Sequence, residues 1–153
     1  MSKIEDRLAE LGLVLPVVAK PVAAYVPAVV SGNLVFTSGQ LPFVDGVLPA
    51  TGKVGADVSA EVAKELARNC ALNGLAAVAS VIGSLDRVTR VVKVVGFVSS
   101  DPSFTGQSGV VNGASEFLGE VFGEAGSHAR SAVGMATLPL DSPVEVELIL
   151  EFA

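Results

Sequence analysis

The chain contains few of the residues on which several common kinds of protein chemistry depend. Its 153 residues include one cysteine, one histidine, one tyrosine and no tryptophan. A single cysteine excludes an internal disulfide, and the chain lacks the Cys and His spacing of a metal site. It also lacks a phosphate-binding glycine loop and a dinucleotide-binding fingerprint. What remains to look for is a small-molecule site built from ordinary side chains.

Positive charge is also scarce. The chain has 10 Lys and Arg residues against 16 Asp and Glu, and its net charge is −6. The basic residues are spread along the sequence, so electrostatics argue against nucleic acid as a partner. Only 17% of the residues are charged, whereas 50% are hydrophobic. A chain this apolar is expected to hide part of its surface in an oligomer.

The longest uncharged stretch, residues 21–44, is not expected to cross a membrane. Pro21, Pro27 and Pro42 interrupt it, as does the polar run Ser31-Gly32-Asn33. The N-terminus carries acidic residues in a helical pattern, whereas a signal peptide has an apolar core. We therefore expect one domain over residues 1–153, located in the cytoplasm and without a membrane partner.

The periodicity of apolar residues predicts the order β-β-α-β-α-β-β after a short N-terminal helix. That helix covers residues 2–11, within an N-terminal extension of residues 1–20. Longer helices are predicted at 58–82 and 109–122. Strands are predicted at 23–30, 34–38, 87–99, 129–137 and 144–152. This order predicts an α+β fold with helices on one side of a mixed sheet, and other subunits would have to cover the bare side.

The last 26 residues hold the best candidates for a site. Arg130 has only small residues beside it on its strand face, so a carboxylate could reach its guanidinium fork. The alternative is a surface arginine, or an ion pair with one of the glutamates of the last strand. These glutamates, Glu145, Glu147 and Glu151, share one strand face. One of them could act as a general base or orient a water, or all could lie on a solvated face.

Other positions allow two interpretations each. His128 lacks a Ser-His-Asp arrangement near it in sequence, so an exposed loop histidine is the simpler interpretation. Cys70 falls on the apolar stripe of a helix and is expected in the core. Tyr25 could belong to the core or offer its hydroxyl to a ligand. The segment 37–40 ends a strand, and it could bind an anion or simply form a turn.

A set of short segments, in order over about residues 21–153, resembles a known family. The segments are Tyr25, SGNLVFTSGQLP at 31–42, Thr51-Gly52, Val111-Asn112, Ala129-Arg130-Ser131, Leu138-Pro139 and VEVE at 144–147. No single segment is specific, but the ordered set resembles the RidA family, also called the YjgF or L-PSP endoribonuclease family.

The resemblance implies a chorismate-mutase-like α+β fold and a homotrimer with three clefts between subunits. The family archetype hydrolyses reactive 2-imino and enamino acids to 2-keto acids and ammonia, and it needs no metal or organic cofactor. By match, Arg130 would hold the substrate carboxylate, and Glu145 would orient or activate the attacking water. The cleft would be lined by Tyr25, Ser38, Gly39 and Asn112.

The chain also departs from the family pattern. The family's deaminases usually have a cysteine two residues after the arginine, where this chain has Ala132. The N-terminal helix is extra, and the segment 99–109 is unusually rich in glycine and serine. A divergent subgroup is therefore expected. Besides a deaminase, a non-catalytic carboxylate-binding or regulatory trimer stays open, whereas the net charge opposes a ribonuclease.

The last two strands, if paired as an antiparallel hairpin, place the two main candidates far apart. In the expected register Glu145 lies opposite Ala136 and Arg130 lies opposite Glu151, all on one face. Arg130 and Glu145 are then about 20 Å apart, too far for one small ligand. We therefore expect Arg130 and Glu145 to act on one ligand only when they come from different subunits. A local Arg130–Glu151 ion pair is the alternative.

Overall fold

In the computed structural model, residues 2–18 and 23–153 are described, and within them the predicted order of elements is confirmed. The helices are α1 (Lys3–Glu10), α2 (Ala60–Ile82) and α3 (Gln107–Phe122). The strands are β1 (Ala28–Ser31), β2 (Leu34–Thr37), β3 (Val88–Ser99), β4 (Ala129–Met135) and β5 (Val144–Phe152). They form one mixed sheet in the order β1-β2-β5-β3-β4, in which only β3 and β4 are parallel.

Both long helices pack on one face of this sheet, which confirms the predicted α+β architecture. On β5 every second residue is buried from Val144 to Leu150, and these side chains face the helices. Helix α2 lies so close that a Cβ added to Gly74 would be 2.7 Å from Leu148 Cδ1. Cys70 is completely buried in this layer, as predicted, and burial raises the pKa of its thiol.

The predicted hairpin of the last two strands is wrong, because β3 lies between β4 and β5. Val94 of β3 pairs with Arg130 on one side and with Leu148 on the other. Neither Arg130 with Glu151 nor Ala136 with Glu145 is therefore a pair. The chain leaves β3, passes through α3 and returns parallel to β3, which is the crossover that a parallel pair requires.

The first strand is shorter than predicted, since residues 23–27 are bends and irregular chain and β1 begins at Ala28. Pro27 immediately precedes β1 and has no N–H to donate to a strand neighbour, which favours an end to the strand there. Tyr25 consequently lies outside the sheet and is 52% exposed, so of its two interpretations the core position is wrong and the ligand contact stays a prediction.

The sheet face opposite the helices, called the open face below, carries no helix among the described residues. It holds the half-buried Glu145 and Glu147 of β5, beside Val95 and Phe97 of β3. At the β4 edge Val133 is 43% exposed, although it is apolar. No helix of the described part of the chain combines the length and apolarity needed to cross a bilayer.

The N-terminal helix α1 is fixed to the domain at both ends. Asp86 accepts hydrogen bonds from the Lys3 and Ile4 amides, both at 2.9 Å, and from Ser2 Oγ at 2.8 Å. Leu8 is buried, and Arg7 Nε donates to Glu120 O at 2.8 Å. The predicted helix 2–11 is confirmed within one residue at each end. The C-terminal limit of the predicted 1–20 extension lies outside the described residues, as do residue 1 and residues 19–22.

We expect Asp86→Asn to loosen α1 without unfolding the sheet. The hydrogen bond from the Ile4 amide, followed by that from Ser2, lowers the pKa of the Asp86 carboxyl, so the ionised form favours the docked helix. Docking is therefore strongest above the ordinary Asp pKa and is lost as the pH falls through the lowered value. Amide hydrogen exchange should speed up in α1 alone in the variant. Asp57→Asn, which removes an acceptor of the Lys53 amide instead, should leave α1 unchanged.

Candidate functional site

Arg130 lies near the start of the edge strand β4, and its side chain reaches α3. Nη1 donates to Asn112 Oδ1 at 2.7 Å and to Ser115 Oγ at 3.2 Å. Nη2 donates to the Ser108 carbonyl oxygen at 3.3 Å. The crossover brings these acceptors together, because it lays the N-terminal half of α3 across β4. Arg130, Ser108, Asn112 and Ser115 are called the arginine cluster below.

The acceptors in the arginine cluster are all uncharged. The predicted alternative of an ion pair with a β5 glutamate is wrong, since the described residues contain no ion pair of Arg130. Glu151 instead accepts a hydrogen bond from Thr89 Oγ1 at 2.8 Å. Of the five guanidinium N–H donors, the remaining two are on Nε and Nη2. These donors fit the two oxygens of one carboxylate, and no anion among the described residues pairs with the half-buried charge.

The open face carries the second group of candidate residues. Gly39 touches Glu145, and a Cβ added at Gly39 would overlap Glu145 Oε1. Only glycine therefore allows this carboxylate to lie against the chain that follows β2. Burial raises the pKa of the Glu145 carboxyl above its ordinary value, and the like charge of Glu147 raises it further. Within residues 2–18 and 23–153 no hydrogen bond to this carboxylate is found, so its oxygens can accept from a bound water.

Ser38 is hydrogen-bonded to the two residues that follow Tyr25. Ser38 N donates to the Pro27 carbonyl at 2.8 Å, and Ser38 Oγ donates to the Val26 carbonyl at 2.6 Å. Val26 and Pro27, which follow the exposed Tyr25, are thus held beside the end of β2. The strand pairing resumes at Gln40, which exchanges hydrogen bonds with Val146 at 2.8 and 3.0 Å, so Ser38 and Gly39 form a bulge. The glutamate cluster is Tyr25, Ser38, Gly39 and Glu145.

The two clusters lie on opposite sides of the sheet in one chain. Arg130 is level with Leu148 across β3 and shares its helix-covered face. Glu145 is three residues from Leu148 and points to the open face. Two strand spacings and three residues of rise put their Cα atoms about 14 Å apart. The expected single face for both is therefore wrong, and one small ligand cannot touch both within a subunit.

The sequence did not indicate Ser108 and Ser115 as members of the arginine cluster, or the contact of His128 with this cluster. Ser115 lies three residues after Asn112 on α3, and that helical spacing was a usable signal. Ser108 contributes a backbone oxygen, for which no side-chain pattern exists. His128 was expected to be exposed, but it is half-buried and hydrogen-bonded to Ser115. The described residues contain no group of His, Cys, Asp or Glu placed to hold a metal ion.

Comparison with known proteins gives relatives over almost the whole chain. Residues 5–152 match the family described as "YjgF/chorismate mutase-like, putative endoribonuclease". Protein TCP17 of Trypanosoma cruzi is 45% identical over 151 residues, which cover 98% of this chain and 94% of that protein. The crystal structure of Atu1372 from Agrobacterium tumefaciens, a protein with unknown function, shares 48% identity and a TM-score of 0.92, with 99% and 93% coverage. The 2-iminobutanoate/2-iminopropanoate deaminase of Escherichia coli K12 is 35% identical over 129 residues, with 84% and 87% coverage.

Proposed function

The chain belongs to the YjgF/RidA family, and on that basis we propose that it hydrolyses small 2-imino or enamino acids to 2-keto acids and ammonia. It is a divergent member, since it is more similar to TCP17 and Atu1372 than to the deaminase. The deaminase carries this activity in its name, and the extension of the activity to this chain rests on the chemistry of its own residues.

The observation that carries the proposal is the uncompensated charge of Arg130. Its guanidinium is held by Asn112, Ser115 and Ser108, all neutral, so two N–H donors and the full positive charge remain for a ligand. A cation so placed favours a carboxylate, which every 2-imino acid carries. The guanidinium would fix the carboxylate and thereby the position of the neighbouring imine carbon.

Glu145 supplies the second requirement, a positioned water. A protonated imine carbon is already electrophilic, so the reaction needs a base near the water more than an activated nucleophile. The water oxygen bonds to the carbon, the C=N electron pair moves to nitrogen, and Glu145 takes the proton that the water loses. In the resulting carbinolamine Glu145 returns that proton to the nitrogen, the C–N bond breaks with its electron pair going to the leaving ammonia, and the hydroxyl gives its proton back to Glu145, which leaves a 2-keto acid. Tyr25, Ser38 and Gly39 would line the cleft around these atoms.

A cleft between subunits reconciles the two clusters. Because Arg130 and Glu145 lie on opposite sheet faces about 14 Å apart, each would act with the opposite cluster of a neighbouring copy. The apolar side chains of the open face, such as Val95 and Phe97, supply a surface that a second copy can cover. We propose a homotrimer as the working form, and light scattering that gives the mass of a monomer would contradict it.

The proposed activity can be measured with 2-iminopropanoate generated in place by an amino-acid oxidase. Semicarbazide traps the free imine, and the semicarbazone absorbs in the ultraviolet. We expect the wild-type protein to lower the semicarbazone yield in proportion to its concentration. If pyruvate raises the thermal stability of the protein but the protein does not accelerate the loss of imine, the result would instead favour the non-catalytic carboxylate-binding alternative.

The pH dependence should report Glu145. If the ionised carboxylate is the active form, kcat/KM rises with pH through the Glu145 pKa, which burial and Glu147 hold above the ordinary value. Glu147→Gln removes the like charge, so the acidic limb of the profile should move to lower pH. Glu151→Gln, on the same strand, should leave the limb in place. If the pH of the acidic limb is the same in Glu147→Gln as in the wild type, the assignment of Glu145 as the base is contradicted.

A further inference from the structure

His128 continues the hydrogen-bonded chain that begins at Arg130. Its Nε2 lies 2.8 Å from Ser115 Oγ, and its Nδ1 lies 2.6 Å from the Gly126 carbonyl oxygen. Ser115 Oγ is also the second acceptor of Arg130 Nη1, at 3.2 Å. Arg130, Ser115, His128 and Gly126 therefore form one continuous series of hydrogen bonds. The function proposed above gives no role to His128 or Gly126.

The carbonyl at one end fixes the direction of every hydrogen bond in this series. A carbonyl oxygen only accepts, so His128 Nδ1 must carry a proton. In the neutral ring Nε2 is then an acceptor, and the Ser115 hydroxyl donates to it. With its hydrogen directed to the imidazole, Ser115 Oγ presents lone pairs to Arg130. Arg130 thus receives a second acceptor of fixed orientation beside Asn112 Oδ1.

The local geometry places the four side chains as two matched pairs. His128 immediately precedes β4 and Arg130 is its second residue, and both side chains face α3, since both are hydrogen-bonded to Ser115. Asn112 and Ser115 are three residues apart on α3, so both face β4. The guanidinium is anchored through Nη1 by both α3 side chains, and its Nε and Nη2 edge remains free. Without Ser115, Nη1 keeps only the Asn112 hydrogen bond, and the long Nη2 bond to the Ser108 carbonyl at 3.3 Å is left to hold the direction of that edge.

We propose that His128 and Ser115 are positioning residues, which hold the Arg130 guanidinium so that its free edge meets the substrate carboxylate. This inference rests on the proposed function, since it assigns Arg130 a carboxylate ligand. Neither residue touches the ligand. Their effect should therefore appear in carboxylate affinity and KM, whereas kcat should stay nearly constant.

Four variants and one spectroscopic measurement test the inference. Because His128 is the chain's only histidine, its ring ¹⁵N signals are unambiguous, and they should show a protonated Nδ1 and an unprotonated Nε2. Ser115→Ala and His128→Phe should each weaken pyruvate binding and raise KM about tenfold. The double variant should be no worse than either single one, because both remove the same connection. His128→Gln, whose amide oxygen can replace Nε2 as the acceptor, should recover most of the affinity.

Ser80→Ala provides the matched control, since Ser80 is also a helix serine with a hydrogen-bonded hydroxyl, but it lies on α2 and donates to the Ala77 carbonyl. It should bind pyruvate as the wild type does. Unchanged pyruvate affinity in Ser115→Ala and His128→Phe, with affinity lost in Arg130→Ala, overturns the inference and leaves the proposed function standing. A protonated Nε2 with unprotonated Nδ1 also overturns it, even if His128→Phe does not fold. Equal pyruvate affinity in wild type and Arg130→Ala overturns the carboxylate assignment itself.

Discussion

Arg130→Ala should lower kcat/KM for 2-iminopropanoate hydrolysis by about 10²- to 10³-fold. The guanidinium is the anchor proposed for the substrate carboxylate, and no other described cation lies in the arginine cluster. Its loss also leaves Asn112 Oδ1 and Ser115 Oγ without their donor, at a cost of about 1 kcal/mol in folding free energy. The measurement is the semicarbazone assay at several imine concentrations, with thermal unfolding recorded in parallel.

Two further variants separate the shape of the guanidinium from its charge. Arg130→Lys keeps the charge but lacks the planar pair of donors, so it should recover only a small part of the lost activity. Arg68→Ala removes an arginine of α2 that instead pairs with Glu120 at 2.8 Å and stacks on Phe117, so it takes no part in the arginine cluster. It should be slightly less stable and fully active. Full activity in Arg130→Ala would remove the basis of the proposed function.

The fold was predictable because its elements carry strong periodic signals. Residues of β5 alternate between buried valines or leucines and a half-buried set of three glutamates and Ile149, and its predicted limits of 144–152 are those observed. Helix α2 is capped by Ser59 at its start and by Gly83, with a φ of 89°, after its last residue. Serine and glycine are the residue types that favour these two positions, so both helix ends are indicated by the sequence. Strand partners were not predictable in the same way. Nothing in residues 129–137 distinguishes pairing with β5 from parallel pairing with β3, because both bury the same alternate side chains.

The arrangement of the candidate site depends on which strand lies beside β4. A hairpin puts Arg130 and Glu145 on one face, whereas insertion of β3 puts them on opposite faces. The chemistry of Arg130 among small residues was visible in sequence, but its contacts with Asn112 and Ser115 come from the crossover through α3. The contact of Gly39 with Glu145 depends on a bulge after β2, which alternation alone does not reveal. Side-chain chemistry was thus readable in advance, and its three-dimensional grouping was not.

The two clusters are built from different elements of the fold. The arginine cluster depends on β3, α3 and β4, and the glutamate cluster depends on β2 and β5. A substitution in one cluster therefore disturbs the other little within a subunit, although the proposed chemistry needs both. Inactive variants of the two clusters should then be independent defects, each with one intact half of a site.

Mixing Arg130→Ala with Glu145→Gln subunits should consequently restore activity that neither variant has alone. We expect Glu145→Gln to lower kcat by about 10²-fold, because the water loses its base. After joint unfolding and refolding at equal amounts, half of the subunits keep Arg130 and half keep Glu145. If each site takes one residue from each of two neighbours, about one quarter of the sites are fully wild type. The semicarbazone assay should then give about a quarter of the wild-type rate.

The double variant Arg130→Ala/Glu145→Gln makes the matched control. Mixed with wild-type subunits at equal amounts, it also gives about one quarter of intact sites if Arg130 and Glu145 come from different subunits. If both come from one subunit, the same mixture gives about half, and the two single variants give no recovery. The pair of mixtures therefore distinguishes the two arrangements by opposite changes. Activity near zero in the mixture of the two single variants, with about half of the wild-type activity in the mixture of double variant and wild type, would overturn the proposed site between subunits. Arg130 and Glu145 of one subunit would then have to act on the same ligand.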